Sequence, residues 1–476
     1  SKQKTTKETY AMTSVSQKKG NDYELETSIS RFIKEYKIGA LLRCCRAEKE
    51  KGIPVIDVFR YLLCLVFSDR SMYMQLQTNS FKEDFSKNTV YRFLNSTRTN
   101  WLRFTTLLSE RVVNHFMRTL TDDTRDDVFI IDDTLYTKSG YKRSELVSKV
   151  FDHVDGKFKK GFRLLTLGWS DGNSFVPVNS TLLASSKEEN LLGPIRSFDK
   201  RSIAGRRRKM ARMKAPDVLV SLLTTAQAAG HQAKYVLLDT WFAMPRTILR
   251  IKDECSLDTI AMIKKSSRIK YLLDGNSFDV KEIYSRSKKR RGRSKYLLSV
   301  EVMISVKDEN GVIRTLPARI VYVRNKKKRK DWIALISTDT SLSEEDIIRI
   351  YGKRWQTEVF YKTCKSWLKL GSECQSLSYD ALTAHVAIVF TRYILVSLEQ
   401  RCNADERTIC ELFYVLHDEL ADITYNESLC IIVEAMLESL RIAFNITEEQ
   451  LEIFTVDFIN RLPKYLQASL GCILAA

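Results

Sequence analysis

Apolar residues recur at helical spacing through the first quarter of the chain. In PVIDVFRYLLCLVF, which starts at Pro54, the residues Val55, Val58, Leu62, Leu65 and Val66 share one helix face. KNTVYRFLNST (Lys87 to Thr97) predicts a short helix, and WLRFTTLLSERVVNHFMRTL predicts a longer one. Residues 1–28 are polar and rich in Lys, Thr and Ser, and read as a flexible arm. The period then changes. DDVFIIDDTLY (Asp126 to Tyr136) is a β-branched run that suits a buried strand and ends in two acids. FRLLTLGWSDGNSFVPVNSTLL predicts two strands around an Asp171-Gly172-Asn173 turn. An amphipathic helix (APDVLVSLLTTAQAAG), the strand YVLLD ending at Asp239, a helix from Pro245 and the strand TIAMI follow. This order predicts an α/β sheet covered by helices.

Residues 263–342 interrupt that order. YLLSVEVMISV, ARIVYVR and DWIALIST read as antiparallel strands separated by Lys/Arg runs. From Ser343, an N-cap followed by acids, one long helix is predicted over SEEDIIRIYGKRWQTEVFYKTCKSWLKL. The rest is helical. Its most apolar window, Ala381 to Leu398, holds His385 and Arg392 and is short for a membrane span, so a buried helix is predicted and no membrane partner. The divisions expected are an arm (1–28), a helical DNA-binding domain (29–122), a core in two parts (123–262 and 343–375), the β-rich insertion (263–342) and a helical C-terminal domain (376–476).

Charge sharpens this picture. The chain has 476 residues, with 77 Lys plus Arg against 58 Asp plus Glu, a net charge of +19. Residues 381–476 carry 6 basic and 14 acidic residues, so the surplus lies in the remainder. Residues 261–340 alone hold 21 basic and 8 acidic residues. A polyanion is the partner implied, and the acidic tail is the surface expected to meet protein instead. The ten cysteines lack metal spacing and the five histidines are scattered, which argues against zinc and for reduced cysteines of a cytosolic type. No signal-peptide pattern opens the chain, and Ser1 in place of methionine suggests a processed or engineered end.

Candidate chemistry comes from carboxylates. Asp132 and Asp239 end buried strands, where the ligand sites of open α/β sheets lie, although a strand-end Asp also commonly caps the next loop. On the predicted long helix, at 100° per residue, Tyr351, Arg354, Glu358, Lys362 and Lys365 fall within about 80° of arc. Such a face suits a phosphate ligand and a metal carboxylate; solvated i,i+4 ion pairs would also produce it. Three carboxylates from two strands and a helix can hold two divalent cations that activate an attacking oxygen and stabilise a leaving one. All-oxygen ligation favours Mg²⁺ or Mn²⁺.

Tyr351-x2-Arg354-x3-Glu358-x6-Lys365, with Trp355 after Arg354, resembles the Y-R-E-K signature of bacterial cut-and-paste DDE transposases of insertion-sequence family four. The resemblance covers about residues 128–370. It implies an RNase H-like core with a β-rich insertion before the last catalytic helix, and Asp132, Asp239 and Glu358 as the triad holding two Mg²⁺ or Mn²⁺ ions. Asp133 competes with Asp132, because the two point to opposite faces of the strand and only one can ligate. Tyr351, Arg354 and Lys365 would contact DNA phosphate, with Lys362 beside them, and Trp332 would stack on an extruded base or else serve as a strand core residue. Three basic runs would track phosphate. Lys200 to Lys214 contains Arg206, Arg207 and Arg208; Ser285 to Lys295 contains Lys289, Arg290 and Arg291; Arg324 to Lys330 contains Lys327 and Lys328. The expected protein is therefore a transposase that binds transposon ends and target DNA, dimeric on DNA, in the nucleoid of a bacterial cytoplasm. A nuclease that cuts without joining, and a non-catalytic DNA-binding protein, are the alternatives.

Overall fold

A computed structural model describes residues 28–49, 51–68, 71–120, 125–152, 155–290, 294–307, 310–325, 331–402, 433, 436, 437 and 439–462. The chain forms two compact units. One is Ser1–Lys34, Phe67–Asp69 and Glu411–Ala476; the other is Glu35–Val66 and Arg70–Cys410.

In the first unit, helix α1 (Ser28–Glu35) contributes all but its last residue. Near the other end of the chain, Val433 and Leu437 pack with Leu451, Phe458 and Leu462. The helix Glu448–Arg461 begins there with a capping box, in which Thr447 Oγ1 accepts from Gln450 N while Gln450 accepts from Thr447 N.

The second unit is mixed α/β. Helices α2 (Ile38–Cys44), α3 (Val55–Cys64), α4 (Met72–Gln77), α5 (Lys87–Leu94) and α6 (Trp101–His115) precede the first strand. Trp101, Phe104, Leu108 and Val112 form the buried stripe of α6, which packs on the sheet at β4. These N-terminal helices thus share a unit with the sheet.

The strands are β1 (Val128–Thr137), β2 (Ser148–Asp152), β3 (Lys157–Ser170), β4 (Phe175–Leu183), β5 (Tyr235–Leu238) and β6 (Asp258–Met262), then β7 (Tyr271–Leu273), β8 (Asn276–Phe278), β9 (Leu298–Lys307), β10 (Ile313–Arg324) and β11 (Trp332–Ser337). Their order is β2-β3-β1-β5-β6-β11-β10-β9-β7-β8, with β4 also paired to β3. The β3–β4 turn forms as expected: Asp171 Oδ1 accepts from the N–H groups of Asn173 (2.8 Å) and Ser174 (2.7 Å), and Gly172 supplies the positive φ of 98°. β1, β5 and β6 run parallel, joined through α7 (Ile203–Ala211), α8 (Ala215–Ala228) and α9 (Pro245–Cys255), which cover the sheet. The strands of residues 263–342, with α10 (Val280–Arg286) among them, do not form a separate layer. β11 pairs antiparallel with β6, so they lengthen the same sheet.

The single helix expected from Ser343 is two, α11 (Glu344–Gly352) and α12 (Trp355–Ser366). Between them the ladder tightens to i→i−3 bonds: Lys353 N to Ile350 O (3.0 Å), Arg354 N to Tyr351 O (3.1 Å) and Thr357 N to Arg354 O (3.1 Å). Lys353 Nζ donates to Asp126 O, and Gln356 Nε2 to Gly172 O at 2.9 Å. The break therefore seats this segment against the start of β1 and the β3–β4 turn.

The apolar segment 381–398 lies in α13 (Tyr379–Cys402), the one described helix long and apolar enough to cross a membrane, and its most apolar window is 94% buried within the protein. Its Arg392 is fully buried and donates to Leu63 O (3.1 Å), Leu62 O (2.5 Å), Leu368 O (3.2 Å) and the Glu373 carboxylate (2.9 and 3.1 Å). Those bonds and the ion pair satisfy a buried guanidinium that would otherwise be very costly.

Candidate active site

The register of two parallel neighbours places the first two acids. Ile131 pairs with Leu238, so the next residues, Asp132 and Asp239, emerge side by side. Asp239 directly follows β5, whereas Asp132 does not end its strand as expected but lies within β1, which continues to Thr137 because its second half stays paired with β3. Asp239 Oδ1 accepts from Trp241 N (2.9 Å) and Phe242 N (3.4 Å), so it also caps its loop. Asp132 Oδ1 accepts from Asp133 N (2.8 Å), and its backbone oxygen accepts from the Tyr361 hydroxyl (3.0 Å).

Glu358 comes from α12, and Arg354 joins it to β1. Arg354 Nη2 lies 2.7 Å from Glu358 Oε1, and Nη1 lies 3.1 Å from Asp132 Oδ2. Burial pushes Asp132 up to about 7, with Arg354 opposing the shift and the nearby Asp239 adding to it. Burial also raises Asp239, opposed by its two N–H donors. Tyr351 is raised to about 12 by burial; its hydroxyl, close to Arg354, meets no partner in hydrogen-bond geometry.

Asp133 is turned elsewhere. It pairs with Arg163 Nη1 at 2.5 Å, and so Asp132 is the one that joins Asp239, Glu358 and Arg354. Lys365 Nζ donates to Thr134 Oγ1 at 2.7 Å, while Lys362 is exposed on the same helix. Burial lowers the Lys365 ammonium.

The donor chemistry suits a hard divalent cation, since Asp132, Asp239 and Glu358 offer only oxygen. Yet among the described residues no three Asp, Glu, His or Cys side chains are gathered closely enough to hold a metal ion. Arg354 lies between two of them, its guanidinium paired with both Asp132 and Glu358. The two aspartates fit such an ion directly. Glu358 fits once Arg354 leaves it.

Several expected DNA contacts sit elsewhere than their residue types suggested. Arg207 and Arg208 are interior residues. Arg208 forks onto Glu145 (2.6 and 2.8 Å) and Asp380 (3.0 and 2.8 Å), and Arg207 donates to Asp380 and to Thr99 O. The expectation that they track phosphate is corrected, because both guanidinium groups are already spent on buried partners. Arg206 is exposed and lines an open cavity of about 770 Å³ with Lys200, Arg201 and Lys209. Trp332 is half-buried, stacked on Tyr284 (centroids 4.9 Å apart) and edge-on to Tyr322 (5.0 Å), with Lys265 Nζ 4.0 Å from its ring centre. It belongs to the aromatic packing of the β9–β11 region. Arg290 is exposed near Tyr296, and Lys289 Nζ sits 4.9 Å from the Tyr284 ring centre. Arg291, Lys327 and Lys328 lie outside the described residues.

Sequence reasoning passed over Arg163, Tyr361 and Trp241. Trp241 is 50% exposed two residues beyond Asp239, with Lys264 Nζ 5.0 Å from its ring centre. A tryptophan two residues after a strand-end acid was the available signal.

No curated protein matches the chain. A family model described as DDE superfamily endonuclease matches residues 62–316, more than half of the chain, which includes Asp132 and Asp239 and ends before Glu358. That family implies an RNase H-like core and DNA as the substrate, and its nucleases generally use divalent metals. By this match the chain belongs to the DDE superfamily endonuclease family.

Proposed function

We propose that the protein is a DNA transposase that cuts transposon ends and joins them to target DNA, with Asp132, Asp239 and Glu358 as the metal-holding carboxylates. The observation that carries this reading is the meeting of these acids around Arg354, beside the buried Tyr351 hydroxyl. When bound, two Mg²⁺ or Mn²⁺ ions supply charge that activates the attacking oxygen and stabilises the leaving one.

The chain's own groups do the rest. Asp132 and Asp239, fixed by strand register, set the position of the scissile phosphate. Arg354 moves from Glu358 to a phosphate oxygen as the acids are neutralised, exchanging one anionic partner for another. The Tyr351 hydroxyl donates to the same phosphate, and Lys365 adds a point charge. Water cuts one strand and leaves a 3′-OH. That hydroxyl attacks the opposite strand to close a hairpin, water reopens the hairpin, and the freed 3′-OH attacks target DNA. Each step exchanges one phosphodiester bond for another or for water.

Residues 29–122 recognise the ends. The acidic region 376–476 pairs two copies, because two ends must be cut and joined together; its residues 403–432 lie outside the described ones. The description of the matched family as an endonuclease favours one second reading, a nuclease without strand transfer. Joining of cut ends into supercoiled plasmid separates the two.

The test is labelled end DNA with Mg²⁺ on a denaturing gel. Glu358→Gln keeps DNA binding and loses cleavage. Full cleavage by that variant would refute the assignment.

A further inference from the structure

The hairpin of β2 and β3 lies at the edge of the sheet and carries an exposed face of two phenylalanines and two lysines. Cross-strand partners point to the same side of a two-stranded ribbon, so the pairs Phe151↔Phe158 and Lys149↔Lys160 share one face. All four are exposed, Phe158 at 69%. The phenylalanine rings meet edge-on, with centroids 5.3 Å apart. Lys160 Nζ sits 3.7 Å from the ring centre of Tyr141. The alternate face is accounted for by the buried Ser148 and Val150 and by Lys159, which pairs with Asp155 and, at 3.7 Å, with Asp152.

Directly opposed lysines repel, and an exposed pair of phenylalanines leaves apolar area in water. One ligand offsets both costs: a chain of anions that alternates with flat apolar rings. A nucleic-acid strand with unstacked bases has that chemistry, with its phosphates for the lysines and its bases for the rings.

The hairpin is also tied to the acid site. Arg163, whose Nη1 holds Asp133, donates from Nη2 to Phe151 O at 2.9 Å. Asp152 and Asp155 line a cleft of about 600 Å³ together with Asp133, Thr134, Arg163 and Lys365.

We propose that Phe158 and Phe151, flanked by Lys149 and Lys160, form a stacking platform for unpaired bases of DNA held at the acid site. This rests on the reading of the chain as a DNA-cutting enzyme and adds the strand form it engages. The platform takes bases splayed from the duplex end while the lysines follow the phosphates.

The test uses the full chain in EDTA, so that no strand is cut. The probes are a duplex ending in a short single strand labelled with 2-aminopurine and the same duplex with a blunt end. Phe158→Ala weakens binding of the tailed duplex by roughly 5- to 150-fold, the range for loss of one stacked base, and raises 2-aminopurine emission in the complex. Phe158→Trp retains both, and unchanged melting temperatures establish that the variants are folded. Lys160→Gln lowers the slope of log affinity against log salt by about 0.7.

The proposal is overturned if Phe158→Ala binds the tailed duplex as the parent does, or if Phe158→Trp loses as much as Phe158→Ala. It is also overturned if Phe158→Ala changes only the mass measured by light scattering, which would make a second copy of the chain the occupant. Should the chain bind neither duplex, the parent reading falls with it. Should Glu358-dependent cleavage persist while Phe158 proves neutral, the platform alone falls.

Discussion

Asparagine at position 132 keeps the size of the side chain and removes its charge, and the expected effect on stability can be signed. In the folded, metal-free chain Asp132 sits near 7 because of burial, against an ordinary aspartate value of 3.8. Below about pH 4 the carboxyl is protonated in both folded and unfolded states. Between about pH 4 and 7 the folded state keeps a proton that the unfolded state has released, so stability falls as pH rises and levels off above 7. At about 1.4 kcal/mol per pH unit, the gap sets a ceiling of about 4 kcal/mol. Asp132→Asn is therefore expected to be more stable than the parent at pH 8 by up to that amount, and equal to it near pH 4. Denaturant unfolding in EDTA at several pH values measures this directly. Added Mg²⁺ should stabilise the parent at pH 8 and leave the variant unmoved, as expected of a ligand that binds only the folded site. Identical pH dependence of the two proteins would refute the reasoning, since the cost of the buried charge would then lie elsewhere.

Other expectations follow from where the cations and aromatics sit. Arg208→Ala strands Glu145 and Asp380 in the interior and should cost about 3–5 kcal/mol, read as a large drop in melting temperature. Arg206→Gln should leave melting unchanged while lowering the salt slope of duplex binding by about 0.9, as loss of one phosphate contact does. Trp332→Ala should destabilise by about 3 kcal/mol in urea, with Trp332→Phe recovering most of it, because the ring packs against Tyr284 and Tyr322.

The acids were the most legible part of the site. A strand that runs through apolar residues into an aspartate is visible as a pattern, and parallel pairing of β1 with β5 converts two such patterns into one place. The choice between Asp132 and Asp133 was not visible, because it depends on Arg163, which reaches one of them from the neighbouring strand. The runs of arginine misled for the same reason. Arg208 is interior only because Glu145 and Asp380, 63 and 172 residues away, fold onto it. The helical period ran unbroken through Gly352, yet Lys353 and Gln356 find backbone carbonyls at the base of the sheet and break it. Patterns within one element were readable, and partners from distant elements were not.

Arg392 bears on how far the enzyme can be trimmed. Its guanidinium gathers carbonyls from α3, from the segment after α12, and the Glu373 carboxylate into one knot. A fragment that began at β1 and stopped after α12 would sever that knot and remove α13, whose Phe390 packs against Phe360 of α12. The nuclease portion is therefore not a detachable cassette. Helix α12 is braced by chain that comes hundreds of residues earlier and by chain that comes later, so a shortened version would have to keep both.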